Sequence, residues 1–348
     1  MPVVVSAKAI HTTVDFADTA AMLLPQRILT RRSRVGTLVI AVLALSALLV
    51  GTPGAADAAP DSWRYTMVGF SNTSAQHMDV YQSSDATQFQ PIRMSAYQPP
   101  SGLVRDPSIF RSSDGWYYVT YTTGSTSIGF ARSRDRVNWT FMHNYPVPLC
   151  CAFLPGTGDG TGSSAGSLSF GSAGSSDGPS LSPFTTKAWA PEWFVEGGRV
   201  NVILSMSTGG GFVPYLMTAL EPGLRLWSPP VPILGLGADR IDTAVVKVGA
   251  TYHAFTKNET KKVIEHAVSG SLVGPYRFVA PGPWGRLVEG SAVVQLPNGN
   301  WRLYVDAYRD RRYFYSDSGD GLRTWTPLKE LPGLSGSVRH FGVVREPV

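Results

Sequence analysis

The chain of 348 residues contains two cysteines, Cys150 and Cys151, and they are adjacent. Zinc motifs need wider spacing and more ligands, so a zinc site is not expected. In an exported protein the pair either closes a strained vicinal disulfide or remains as two thiols, and the sequence leaves both open. Charge is sparse as well, at 16% of residues. No Lys/Arg run beyond residue 58 would mark a nucleic-acid groove, so nucleic acid is not an expected partner. The apolar run Thr37 to Val50 is too short for a comfortable membrane span and is not followed by a basic stop, so stable membrane insertion is not expected either. What the chain has in quantity is glycine (36), proline (26) and aromatic residues (11%), which favours a loop-rich β architecture over a helical one.

Residues 1–58 read as a leader rather than as fold. Arg31-Arg32-Ser33-Arg34 is a basic n-region, Thr37 to Val50 an apolar h-region, and Ala56-Asp57-Ala58 an A-x-A cleavage signal, so the mature chain is expected to start near Ala59 and to be secreted. Removing that segment takes the formal charge from +5 to +3 (25 basic minus 22 acidic residues).

Beyond the leader the sequence repeats at roughly the 40–50-residue period of propeller blades. One unit runs from Asp106-Pro-Ser-Ile-Phe through Trp116-Tyr-Tyr-Val-Thr-Tyr and Ile128-Gly-Phe-Ala-Arg-Ser to Asp135 and Trp139. Its first two runs flank Asp114-Gly115, a hairpin signature. The next units start at Trp189-Ala-Pro-Glu-Trp-Phe, Ile241-Asp-Thr-Ala-Val-Val and Glu289-Gly-Ser-Ala-Val-Val, and close on Trp227, Tyr276 and Trp325. Residues 63–89 supply the later strands of one more unit, and Ser337-Val-Arg-His-Phe-Gly-Val-Val supplies its first strand. A single blade cannot bury both faces, so the repeats imply a closed ring: an all-β, five-bladed β-propeller over 59–348, closed by the N- and C-terminal segments. The Gly/Ser-rich stretch 156–182 reads as a surface loop, one that either borders the cleft or is a tolerated insertion without a role. No appended sugar-binding module is expected.

The start of each first strand faces the propeller axis. Asp106, Asp242 and Glu289 are expected at one repeat position in three blades, with Arg339 near it in the last. Carboxylates entering apolar strands need a partner, a cavity or a ligand, and three at one channel mouth suit glycoside hydrolysis. One carboxyl donates a proton to the leaving oxygen and another, ionised, activates water, while a third nearby raises the pKa of the donor. Trp189, Trp193, Phe212 and Trp284 are candidate stacking faces for a sugar ring.

Taken in order, Arg-Asp-Pro-Ser-Ile (105–109), Trp-Ala-Pro-Glu (189–192), Ile-Asp (241–242), Glu-Gly (289–290) and Arg-His (339–340) resemble glycoside hydrolase family 43. The resemblance spans about residues 63–346. It implies a five-bladed propeller and an inverting mechanism, with Asp106 matching the general base, Asp242 the pKa-modulating acid and Glu289 the general acid. The base and acid carboxyls would then stand roughly 6.5–9.5 Å apart. Arg339, Trp189, Glu192, Trp193 and Phe212 become substrate-binding candidates. No cofactor is required, although in some members a channel histidine, here His340, helps hold a calcium or other ion. Asp242 is followed by Thr243-Ala244 where the family often has Pro-Ser, and Glu289-Gly290 by Ser291 where Pro is frequent, so the local backbone can differ there. The expected substrate is an arabinose-containing polysaccharide such as arabinan or arabinoxylan, and the expected protein a monomer. Thr-Lys-Asn-Glu-Thr (256–260) looks most like the exo-acting α-L-arabinofuranosidase branch. A β-xylosidase or galactan-acting enzyme of the same fold, or a non-catalytic carbohydrate-binding propeller, are the alternatives.

Overall fold

Each of the β-branched and aromatic runs becomes a strand, and polar turns join the strands within a repeat. The structure is a computed structural model that describes residues 62–148 and 185–348. The expected leader, Cys150-Cys151 and the stretch 156–182 lie outside the described residues. Among those described, twenty strands form five four-stranded antiparallel sheets and there is no helix.

The first sheet takes β1 (Trp63–Ser71), β2 (Met78–Ser83) and β3 (Gln90–Tyr97) from one end of the chain and β20 (Val338–Pro347) from the other. The second holds β4 (Arg105–Arg111), β5 (Tyr117–Thr122), β6 (Ser127–Ser133) and β7 (Trp139–Pro146). The third holds β8 (Lys187–Glu196), β9 (Arg199–Ser207), β10 (Val213–Thr218) and β11 (Val231–Pro232). The fourth comprises β12 (Arg240–Val248), β13 (Thr251–Asn258), β14 (Val263–Ser269) and β15 (Arg277–Phe278). The fifth comprises β16 (Glu289–Gln295), β17 (Trp301–Ala307), β18 (Arg312–Ser318) and β19 (Lys329–Glu330). This is the five-bladed propeller the repeats imply. The hairpin at Asp114-Gly115 is present, with Arg111 opposite Tyr117.

The core is divided among the seams between blades. Five apolar clusters each draw on two neighbouring blades. Phe130 stacks on Trp227 at 5.5 Å across one seam, and Tyr313 on Phe341 at 4.4 Å across another. Burying an aromatic side chain of this kind stabilises by about 1.5–3 kcal/mol. Neither face of a blade is stable without its neighbour, which is why the sequence has to repeat.

Closure of the ring is chemical as well as geometric. Strand β20 pairs with β1 from Trp63↔Pro347 to Ser71↔Val338. Glu346 on β20 is 2% exposed and binds Arg64 at 2.9 Å, Arg111 at 3.2 Å and the Tyr117 hydroxyl at 2.6 Å. One carboxylate thus ties the last strand to the first blade and to its neighbour. Burial pushes this carboxyl up, but the hydrogen bonds from Arg64 and Tyr117 outweigh it and hold it below its ordinary value. A depressed carboxyl contributes stability that is complete above its unfolded value of about 4.3 and is lost as pH falls. With its arginine partners partly exposed, Glu346→Gln should therefore cost about 1.5–3 kcal/mol at pH 7. Melting curves at pH 7 and near pH 3 check this, because the gap between variant and wild type should narrow in acid.

Candidate active site

The five inner strands β4, β8, β12, β16 and β20 surround the propeller axis, and each carries the same defect near its start. The ladder slips between Arg105 and Ser108, Trp189 and Glu192, Ile241 and Ala244, and Glu289 and Ala292. On β20 the slip falls between Arg339 and Gly342, opposite Phe70 and Val68. Within every slip one residue is left-handed: Asp106 (φ 49°), Ala190 (48°), Asp242 (56°), Gly290 (63°) and His340 (24°). Such a bulge bends the strand and re-aims its side chains. Four of the five residues carry a Cβ, and a left-handed non-glycine residue costs about 1–3 kcal/mol. At the fifth only glycine fits, because a Cβ on Gly290 would meet Cγ of His340 at 2.9 Å.

This register corrects one expectation. Asp106 and Asp242 share the left-handed position, but their counterparts in the other blades are Ala190, Gly290 and His340. Glu289 and Arg339 stand one residue earlier, level with Arg105, Trp189 and Ile241. Glu192 stands two residues later, level with Ser108, Ala244, Ala292 and Gly342. The bulge breaks the two-residue alternation of side chains, so acids at successive positions in different blades still reach the same mouth.

His340 is the hub. It is 2% exposed, with Nδ1 3.3 Å from Asp106 Oδ1 and 3.8 Å from Asp242 Oδ2, and Nε2 4.0 Å from Glu192 Oε1. Burial opposes its charge, but Asp242 and Asp106 outweigh burial and push the imidazole up to about 10. The same pair acts in reverse on Asp106. Burial raises that carboxyl, yet His340 and then Arg105 bring it below its ordinary value, so it is ionised. Asp242 accepts a hydrogen bond from the Gly290 N–H at 3.1 Å, and burial together with the nearby Glu289 charge pushes it up to about 6. Glu192 is pushed up to about 8, chiefly by burial. It lines a cavity of about 120 Å³ on the propeller axis, walled by Ile109, Val245, Val293 and Val343. Glu192 is thus a buried partner of His340 rather than a group at the open mouth.

Glu289 is held from both sides. Its Oε1 accepts from Arg339 at 2.8 Å and its Oε2 from Lys257 at 2.6 Å. Arg339 is braced in turn by Asp306, which accepts from its Nε at 2.6 Å and from the His340 backbone N–H at 3.1 Å. Lys257 and Asp306 escaped the sequence reading. A signal for Asp306 was present, since it ends the apolar run Leu303-Tyr304-Val305 as abruptly as Asp106 begins one. Lys257 lies within the quoted Thr-Lys-Asn-Glu-Thr motif.

The aromatic candidates separate. Trp189 and Phe212 lie 5.3 Å apart, with the Lys187 ammonium 5.0 and 5.6 Å from their rings. Trp193 is corrected, because its indole packs on Phe110, Phe130 and Trp227 between two blades and donates to the Ser108 carbonyl at 3.1 Å. Trp284 is also corrected, being 2% exposed against Phe255 and Trp325. Among the described residues no group of three His, Cys, Asp or Glu is spaced to hold a metal ion, and His340 meets Asp106 through its Nδ1.

No family model matches the chain, and neither does any curated protein. Solved structures do. An endo-1,4-β-xylanase from Bacteroides thetaiotaomicron is 13% identical with a TM-score of 0.53, over 79% of this chain and 93% of that one. A family 43 β-1,3-galactosidase is 13% identical with a TM-score of 0.55, over 76% and 91%. An exo-β-1,3-galactanase from Clostridium thermocellum is 12% identical with a TM-score of 0.54, over 77% of this chain and 59% of that longer one. At these identities the likeness is one of fold.

Nitrogen NMR of labelled protein should find His340 still an imidazolium at pH 8. A group raised in this way adds stability that is complete below its unfolded value of 6.5 and is lost as pH rises through about 10. A neutral ring at pH 8 would contradict the charge pattern drawn above.

Proposed function

We propose that this protein is an exported, inverting glycoside hydrolase of family 43 that removes terminal α-L-arabinofuranosyl units from plant cell-wall polysaccharide. The observation that carries the reading is the meeting of Asp106 and Asp242, from separate blades, at one buried imidazolium beside the ion-paired Glu289. Asp106, ionised against His340, takes a proton from a water molecule as that water attacks the anomeric carbon. Glu289 gives a proton to the glycosidic oxygen as the carbon–oxygen bond breaks. Asp242, anchored by the Gly290 N–H, sets the local field and orients the sugar. The Trp189–Phe212 pair offers an apolar face for the ring, a role that aromatic side chains serve through stacking. The similar solved structures named for xylan and galactan chemistry support the hydrolase class and keep β-xylosides and β-galactosides as the alternative substrates. The order of the sequence motifs supports the family, and the basic, apolar and A-x-A run of residues 31–58 supports export.

The deciding measurement is proton NMR of the sugar first released from aryl α-L-arabinofuranoside, β-xyloside and β-galactoside. Inverted β-arabinose is expected from the first, and retained α-arabinose would overturn the assignment of Asp106. Asp106→Asn should lose at least about a hundredfold in kcat with every leaving group, while its far-UV circular dichroism stays that of the wild type. An unaffected Asp106→Asn variant would remove the base from the mechanism. Failure to hydrolyse any of the three would reject the hydrolase reading itself.

A further inference from the structure

Glu289 presents a difficulty for a proton donor: in the resting structure a cation occupies each of its oxygens. The two cations are mounted differently. Arg339, on Oε1, is fixed at its Nε by Asp306, which is 1% exposed. That side is braced twice. Lys257, on Oε2, reaches across from the middle strand β13 of the neighbouring blade on a flexible stem, and is 5% exposed. Its ammonium already has a second carboxylate in place, Glu259 Oε1 at 2.5 Å, and lies 4.8 Å from the Tyr308 ring. Glu259 is itself secured through Oε2 by Lys262 at 2.5 Å, near the surface. Lys257 therefore touches two acids, Glu289 of the site and Glu259 outside it, while the charge of Asp242 acts on it from further off and pulls it toward the site.

We propose that Lys257 is a positioning residue acting through Glu289, with Glu259 as its alternate partner, and that Oε2 is the oxygen that donates. This rests on the hydrolase reading above. When Oε2 takes up a proton from solvent, its ion pair is lost and Lys257 leans to Glu259, leaving Oε2 free to face the glycosidic oxygen. When that proton passes to the leaving group, the carbon–oxygen bond breaks, the water-derived oxygen bonds to the anomeric carbon, and Asp106 holds the water's proton. Glu289 is then a carboxylate again, and Lys257 returns to it. The ammonium favours the charge that appears on Glu289 as the proton departs, which is electrostatic assistance delivered at one atom. Arg339 holds the carboxyl in place throughout.

The test compares wild type, Lys257→Met, Lys257→Arg and Glu259→Gln on two aryl glycosides of the sugar the wild type accepts. One carries 2,4-dinitrophenol, which leaves without a proton, and the other 4-methoxyphenol, which needs one. Lys257→Met should lose at least about tenfold more kcat/KM on the methoxyphenyl than on the dinitrophenyl substrate, within the range that proton donation supplies. Lys257→Arg should restore most of that ratio. Glu259→Gln should shift it the same way by a smaller factor and add little in the Lys257→Met background. Equal losses on both substrates, or none, would overturn the proposal and leave Lys257 a structural ion pair. If Lys257→Met does not fold, Glu259→Gln and Lys257→Arg decide the matter by the same ratio. A wild type inactive on the aryl arabinofuranoside, xyloside and galactoside alike rejects the hydrolase reading and this proposal with it; an active wild type whose Lys257→Met variant keeps the wild-type ratio rejects the proposal alone.

Discussion

The mouth of this propeller depends on one backbone constraint, a left-handed residue at the same step of all five inner strands. A regular strand sends alternate side chains to opposite faces, so a carboxylate aimed at the axis would be followed by one aimed into a seam. The bulge releases that rule locally. It lets Asp106, Asp242 and His340 point to one place while residues one step earlier in their strands, Glu289 before Gly290 and Arg339 before His340, stand around the same opening. The conformational cost is borne where function gathers, and the packed seams below keep the strands from relaxing out of it.

Bringing acids together out of water is unfavourable unless countercharge arrives with them. Here it comes in two parts with different consequences. His340, wholly enclosed, fixes the charge of Asp106 and leaves Asp242 and Glu192 raised. Arg339 and Lys257 take Glu289 from either side. The arrangement sets a carboxylate held below its ordinary value by an enclosed imidazole, Asp106, beside one paired to two cations, Glu289.

Much of this was legible in the sequence. Alternating runs closed by Trp or Tyr at a steady period gave five blades, and the half-units at the ends gave the closure by β20 and β1. The gathering acids were legible because Asp106 and Asp242 interrupt apolar strands. Their exact phase was not, since a bulge inserts a residue without leaving a mark in a two-residue pattern, and Glu289 was placed one step off. Trp193 and Trp284 misled because an aromatic side chain at a blade seam and one at a binding face look alike until neighbours are known. Lys257 and Glu259 sit in a motif whose meaning depends on a contact with Glu289, 32 residues away in sequence. Glu192 was seen, but not its place beside the axial cavity.

The strand that locks the ring also carries two of the cations the acids need. Arg339 and His340 both lie on β20, a few residues from the Glu346 clasp. Until β20 docks, Asp106 and Asp242 have no imidazolium between them and Glu289 lacks one of its two partners. Mechanical closure and much of the charge neutralisation thus rest on one strand. The strand that completes the circle is also the one that makes the charges at its centre tolerable: without Arg339 and His340, only Lys257 and Arg105 would face the gathered acids.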